Sequence, residues 1–368
     1  MPPELFIGLM SGTSLDGTDS VIAALDNRQC QVIQQQFTPF PLKLKQQLLA
    51  LHDQGDNELE TTALVSNQLS QLYAENIAAL LNAAQILPSA IRAIGCHGQT
   101  IRHRPELGFT LQIGNPSLLA ELSGISVVAD FRSRDIAAGG HGAPLVPAFH
   151  AAIFAHPEQH RAVLNIGGIA NLTNLPPAGG AVTGFDTGPG NMLMDAWINK
   201  HQGKDYDTDG SWAATGKLVP NLFHRMLAEP FFSMAPPKST GRDTFNLSWI
   251  EQLLHQINDK YQPQDVQRTL LELTAISIAM AVTQYCGNVD ELYVCGGGAY
   301  NSALLQRLRQ LLPAVTIRLS DTLGLAVNAV EAAAFAWLAK QTLDGLPGNL
   351  PAVTGARGPR ILGAVYAA

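Results

Sequence analysis

Three short segments place small residues where an apolar run ends: "MSGTSLDG" (10–17), "NIGGIAN" (165–171) and "CGGGAYN" (295–301). In turns of this kind successive backbone N–H groups can converge, and the missing side chains let an oxyanion approach. Gly296–Gly298 also precede a helix expected from Asn301, whose positive end would face the same anion. A tight hairpin accounts for any one of them alone. Their recurrence at strand ends in both halves of the chain points to a nucleotide. It is not held by a P-loop or a Rossmann fingerprint, because neither GxxxxGK[ST] nor a strand followed by GxGxxG occurs. A fourth segment, "GFDTGPGN" (184–191), sets Asp186 just after a strand, in a turn that leads into a helix. That carboxylate is either an Asx-turn or helix cap, or a group on a cleft floor that can take a proton.

The elements that position these residues follow from periodicity. Residues 5–26 read as two strands around a turn at 11–17, and 59–83 as one long helix. Segments 91–100, 109–124 and 125–135 read as a strand, a strand followed by a helix, and a strand running out into charge. A boundary is expected near 140–160. A second series then repeats the opening pattern at 161–176, with helices at 266–285 and 328–345 and a strand–glycine turn–helix unit at 291–312. The stretch 203–250 carries several short elements and inserted loops, and the Gly- and Pro-rich tail offers little. Two halves that each begin with antiparallel strands and continue with strand–helix units suit mixed sheets covered by helices. A cleft between such halves is a common ligand site.

The composition excludes other classes. With 368 residues and 46% hydrophobic content, two domains are expected, since single cores stop growing near ~250–300 residues. A net charge of −7 without long basic runs argues against nucleic-acid and anionic-membrane partners. Cys30, Cys96, Cys286 and Cys295 form no CxxC pair, so neither a disulfide scaffold nor a thiolate zinc site is indicated. No secretory leader pattern opens the chain, and no uninterrupted apolar run reaches the ~18 residues of a membrane span. "TAISIAMAVTQ" (274–284) reads as a buried helix, and the cytoplasm is the expected location.

The motifs together carry a resemblance. "GLMSGTSLDGTD" (8–19), "HGQT" (97–100), "QIGNP" (112–116), "ADFRSRDIAAGGHGAPLVP" (129–147), "LNIGGIANLT" (164–173), "GFDTGPGN" and "CGGGAYN" occur in order. The chain resembles the anhydro-N-acetylmuramic acid kinase family over essentially its whole length. That resemblance implies an α/β fold similar to sugar kinases, Hsp70 and actin, two-lobed around a central ATP cleft. It implies an N-terminal lobe over 1–140 with the phosphate loop and part of the sugar site. A C-terminal lobe over 141–368 would carry the catalytic Asp and the adenosine site, with the final helix near 328–345 packing back on the N-terminal lobe. The implied reaction converts 1,6-anhydro-N-acetylmuramic acid, ATP and water to N-acetylmuramic acid 6-phosphate and ADP, a step of cell-wall recycling. A cytoplasmic homodimer without nucleic-acid or membrane partners is implied as well.

The resemblance also implies roles. Asp186 would take a proton from the water that attacks C1, and a solvated Asp with a pKa near ~3.9 is ionised and ready for this. Gly12, Thr13, Ser14, Leu15, Asp16, Gly17, Thr18 and Asp19, with Gly167, Gly168 and Asn171, would hold the phosphates. Gly297, Gly298 and Asn301 would lie on the adenosine side. Asp16 would hold Mg²⁺ through a water, its alternative being a plain turn carboxylate. His97, Gln99, Thr100, Asp130, Arg132 and Glu331 would bind the sugar, with an Arg suited to its lactyl carboxylate. The bland alternatives are a structural His97, a solvated loop pairing Arg132 and Arg134 with Asp130 and Asp135, and a Glu331–Arg318 ion pair. Two other functions share such a fold: an ordinary sugar or acid kinase acting on a free hydroxyl, and an actin-like nucleotide switch.

Overall fold

The computed structural model describes residues 3–12, 15–26, 29–177 and 180–368. The chain forms two compact units, residues 1–153 with 323–368, and residues 154–322. These limits differ from a single cut at 140. The C-terminal segment returns to the first unit because its helix and last strand bury themselves there.

The first unit is built on a six-stranded sheet. Its strands are β1 (Glu4–Met10), β2 (Gly17–Leu25), β3 (Cys30–Pro39), β4 (Ile91–Cys96) and, after the separate β5 (Gln99–Arg104) and β6 (Phe109–Ile113) hairpin, β7 (Val127–Ala129). The order is β3-β2-β1-β4-β7, closed at the far edge by the strand Ala364–Tyr366. β1 pairs antiparallel with β2 and parallel with β4, and β4 runs parallel with β7. The parallel strands therefore deliver Ser11, His97 and Asp130 to one edge of the sheet, where open α/β sheets place their ligands. The helix Glu58–Ala84 covers one face with Val65, Leu69, Leu72, Tyr73, Ile77 and Leu80, the 3.6-residue stripe that its sequence announces.

The helix Val330–Leu343 covers the other face. It lies in direct backbone contact: a Cβ on Gly8 would stand 1.8 Å from the Ala332 carbonyl oxygen, and one on Gly95 1.9 Å from that of Phe335. The tail has a use that its composition hides. Asp135, fully buried, accepts hydrogen bonds from the Gly142 amide (2.8 Å), Asn349 Nδ2 (2.6 Å) and Thr354 Oγ1 (2.8 Å). It thus ties the loop after β7 to residues 349–354.

The second unit repeats the strand order. β8 (Arg161–Ile166), β9 (Ile169–Leu175), β10 (Thr183–Pro189), β11 (Glu291–Cys295) and β12 (Thr316–Leu319) lie as β10-β9-β8-β11-β12. β9 is antiparallel to both neighbours, while β8, β11 and β12 are parallel. The mixed sheet-and-helix unit implied by the resemblance is thus present twice. Asp186 is not in a turn, as the motif's glycines had indicated. It sits inside β10, the edge strand, at a register shift between Asp186 and Gly188. The helix Pro263–Tyr285 reaches membrane-spanning length and apolarity, but 78% of its most apolar window is buried in the protein, as expected of a buried helix at 274–284.

Candidate active-site residues

In the first unit, Thr13 and Ser14 lie outside the described residues, and the rest of their loop is anchored on both sides. Ser11 Oγ donates to the Gly98 carbonyl and lies 3.0 Å from Tyr73 Oη. Leu15 adopts a left-handed φ of 57° and buries its side chain in the core, so it offers a ligand only backbone. Gly17 and Thr18 already belong to β2. A Cβ on Gly17 would strike the Thr38 carbonyl oxygen at 2.3 Å, so the sheet itself demands this glycine. Thr18 is buried, and its hydroxyl donates to the Met10 carbonyl. Gln99 is fully buried and donates Nε2 to the Gly12 carbonyl at 3.2 Å, while its Oε1 has no hydrogen-bond partner among the described residues. That orphan acceptor marks a place for a ligand's N–H or O–H. Thr100 Oγ1 is 3.1 Å from Gln112 Nε2, which donates to it.

Charge gathers beside this loop. Asp19 is half-buried, and burial first, then Glu331 and Asp16, push its carboxyl up to about 6. Asp16 is exposed and pairs with Lys45 at 3.4 Å. Arg132 donates Nη2 to His97 Nε2 at 2.9 Å and Nη1 to the Gly142 carbonyl at 2.8 Å. Desolvation pulls the guanidinium down to about 10, opposed by Glu331 and Asp135. The same burial, with Arg132 alongside, drives His97 down to about 3, so the imidazole is neutral. The solvated loop pair of Arg132 with Asp130 does not form. Asp130 is exposed at φ 59° and accepts from the Ser133 hydroxyl. Arg132 turns inward because His97 and Gly142 offer it buried acceptors. Arg318 pairs with Glu291 at 3.2 Å.

In the second unit, β8 and β11 are parallel and bring Gly167–Gly168 and Gly296–Gly298 to one edge. Three of these glycines answer to nothing inside the protein: a Cβ on Gly167, Gly168 or Gly297 would meet no atom closer than 3.6 Å, and none is among the positive-φ residues. Gly296 differs, with φ 80° and the Ile166 carbonyl close by, and Gly298 is held by the Ile166 side chain. Gly167 uses its own N–H on the Ile169 carbonyl, so this turn has fewer free amides than its composition indicates. Asn191, unassigned from sequence although its motif was singled out, joins the two turns. Its amide donates to the Gly167 carbonyl at 2.8 Å, its Nδ2 donates to the Ile166 carbonyl at 3.3 Å, and its side chain lies against Gly297 and Gly298. Asn301 has its Oδ1 engaged as the cap of the helix Ser302–Leu311, accepting from the Leu304 amide.

Asp186, Asn171 and Asn165 are register partners across β10, β9 and β8 and form one polar row. Asp186 Oδ2 accepts the Thr240 amide at 3.0 Å, and its own amide donates to the Lys238 carbonyl at 3.1 Å. Burial raises this carboxyl to about 6, with the Thr240 hydrogen bond opposing the rise. The solvated value expected from sequence is therefore corrected. A carboxylate at about 6 is still ionised at neutral pH and is a stronger base than a solvated one, the tuning that general-base catalysis favours.

A family model described as anhydro-N-acetylmuramic acid kinase matches residues 4–368. The anhydro-N-acetylmuramic acid kinase of Thiobacillus denitrificans is 56% identical over 366 residues, covering 99% of this chain and 98% of that protein. The one of Nitrosospira multiformis is 52% identical over the full length of both. Among solved structures, component A of Acidaminococcus fermentans (R)-2-hydroxyglutaryl-CoA dehydratase is similar at 14% identity, with a TM-score of 0.47 over 90% of this chain and 96% of that one; this adds nothing to the assignment. With a match along nearly its entire length and relatives above half identity, the chain belongs to the anhydro-N-acetylmuramic acid kinase family.

Proposed function

We propose that this chain is an ATP-dependent kinase that opens 1,6-anhydro-N-acetylmuramic acid and phosphorylates O6, with Asp186 as the general base. The observation that carries the reading is the Asp186 carboxylate, mostly buried, held by the Thr240 amide and raised to about 6. Asp186 takes a proton from water as the water oxygen bonds to C1. The C1–O6 bond breaks, and O6 bonds to the γ-phosphorus of ATP as the bond to ADP breaks. The phosphoryl group captures the leaving oxygen, so no separate acid is needed to protonate it, unlike in ordinary glycoside hydrolysis.

Gly167, Gly168 and Gly297 leave their backbone uncovered for the nucleotide, with Asn171 and Asn191 beside them. Gly12, Thr13 and Ser14 hold the phosphates in the first unit. Mg²⁺ fits the acidic end of this loop. The raised Asp19 carboxyl between Asp16 and Glu331 is a site where a cation relieves repulsion, and Mg²⁺ takes one or two carboxylates with waters and phosphate oxygens. Asp16 and Asp19 would hold it, and its chemistry is to neutralise phosphate charge. The enzyme acts in the cytoplasm as a homodimer, as the family resemblance implies.

ADP release tests the reading. We expect ADP only when the anhydro-sugar is present, and a product heavier than it by one phosphate and one water. Turnover on N-acetylmuramic acid alone would place the protein among kinases of free hydroxyls. Two further outcomes follow. The kcat profile should fall below pH 6 and level off above it, because the base works ionised. Arg132→Gln should raise KM for the anhydro-sugar by roughly 10–100-fold, the worth of a charge-assisted hydrogen bond. With 1,6-anhydro-N-acetylglucosamine, which lacks the lactyl carboxylate, the same variant should change KM less than threefold. Equal losses on both sugars would remove the carboxylate role from Arg132.

A further inference from the structure

Lys238 is nine-tenths buried, yet the described residues place no carboxylate at its ammonium group. Its Nζ donates to the Phe231 carbonyl at 3.2 Å and lies 4.6 Å from the Phe231 ring centre and 6.0 Å from that of Tyr285. A buried cation held only by a carbonyl and two aromatic faces is a costly way to fill space. Met or Leu would fill it without desolvating a charge. What the ammonium fixes is the course of the backbone. Phe231 belongs to the short helix Pro230–Ser233, which packs on β10 in an aromatic cluster with Phe232, Phe245 and Trp249. Tyr285 ends the long helix and packs edge-on against Phe185, the neighbour of Asp186. Lys238 is thus tied to both elements that flank the catalytic strand.

The segment so anchored is the one that touches Asp186. β10 is an edge strand, and its open side at Asp186 is closed by the Lys238 carbonyl and the Thr240 amide. We propose that Lys238 is a positioning residue for the general base: its buried ammonium pins residues 238–240 so that the Thr240 amide stays on the Asp186 carboxylate. The inference rests on Asp186 being the base only for its effect on rate. The hydrogen bond itself can be read without turnover.

Few other groups compete for control of that carboxylate. β9 and the helix Pro230–Ser233 carry no titratable side chain. On the long helix, Tyr285 faces Phe185, Asp265 caps the helix start, and Glu272 pairs with Arg268 and Arg307. On the anchored loop itself, Arg242 and Asp243 are exposed. A donated amide stabilises the charged carboxylate, and Thr240 opposes the effect of burial. Releasing the segment should therefore raise the pH at which Asp186 titrates.

The test follows Asp186 directly, by carboxyl ¹³C NMR titration of selectively labelled protein, with Asp186→Asn used to assign the signal. In Lys238→Met the midpoint should move up by about half a pH unit or more, and the acid limb of kcat should move with it. Lys238→Arg, which keeps the cation and its donors, should stay at the wild-type midpoint. Thr240→Pro removes the amide hydrogen with Lys238 in place. It should reproduce the shift, and adding Lys238→Met to it should move the midpoint no further. An unmoved midpoint in Lys238→Met would overturn the proposal. So would an unmoved midpoint in Thr240→Pro, which also decides the matter if Lys238→Met does not fold. A shifted NMR midpoint without any kcat limb would keep the clamp and reject Asp186 as the base.

Discussion

Asp186→Asn is expected to lower kcat by roughly 10²–10⁴, the usual worth of a general base, while ATP binds as before. The substitution is nearly isosteric. Asn keeps an oxygen for the Thr240 amide, and the backbone bond to the Lys238 carbonyl is untouched, so the local fold has no reason to change. What is lost is the ability to take a proton, and the acid limb near pH 6 should go with it. Asp186 is not itself one of the glycines proposed for the nucleotide, Gly167, Gly168 and Gly297, whose backbone the substitution leaves as it is. Calorimetry should therefore give an ATP affinity within about threefold of wild type, a difference below 1 kcal/mol. If turnover survives within tenfold, water at C1 is activated by another group. If turnover and ATP binding fall together, Asp186 is structural.

The second large effect is on folding. Gly8→Val is expected to cost at least ~3 kcal/mol, since overpacking against backbone cannot be relieved by a rotamer change. The first unit should melt roughly 5–12 °C lower. The physical cause is the approach of the Ala332 carbonyl to within 1.8 Å of the new Cβ, with the Ala336 amide nitrogen at 2.8 Å. The helix Val330–Leu343 must then lift from β1. Glu331 sits in its first turn and acts on both Asp19 and Arg132, so any folded remainder should also bind the sugar poorly. Gly55→Val is the control, because a Cβ there meets nothing within 4 Å. A Gly8→Val protein that melts within 2 °C of the wild type would mean that the helix can be displaced at little cost.

Much of the framework is legible in the residues. The stripe through Val65, Leu69, Leu72, Ile77 and Leu80 can only be satisfied by a helix with one buried face. The small-residue turns after β8 and β11 occur where expected, because glycine admits turn conformations and close approaches that a side chain would block. The motifs from Gly8 to Asn301 carried the family. Local pattern fails where the deciding partner is distant in sequence. Asp186 looked like a turn residue because "GFDTGPGN" is rich in glycine, yet pairing with β9 makes the segment an edge strand. Gly17 resembled a phosphate-loop glycine, but the nearby Thr38 carbonyl requires it. Asp135 resembled a solvated loop carboxylate until Asn349 and Thr354, more than 200 residues away, became its donors. Lys238 stood in a stretch without recognisable pattern, and only packing against Phe231 and Tyr285 gives it a task. Residue types and spacing thus determined which chemistry this chain can perform. Which carboxylate is buried, which amide meets it and where it titrates were decided by tertiary structure alone, because desolvation and hydrogen bonding depend on neighbours that the local sequence does not contain.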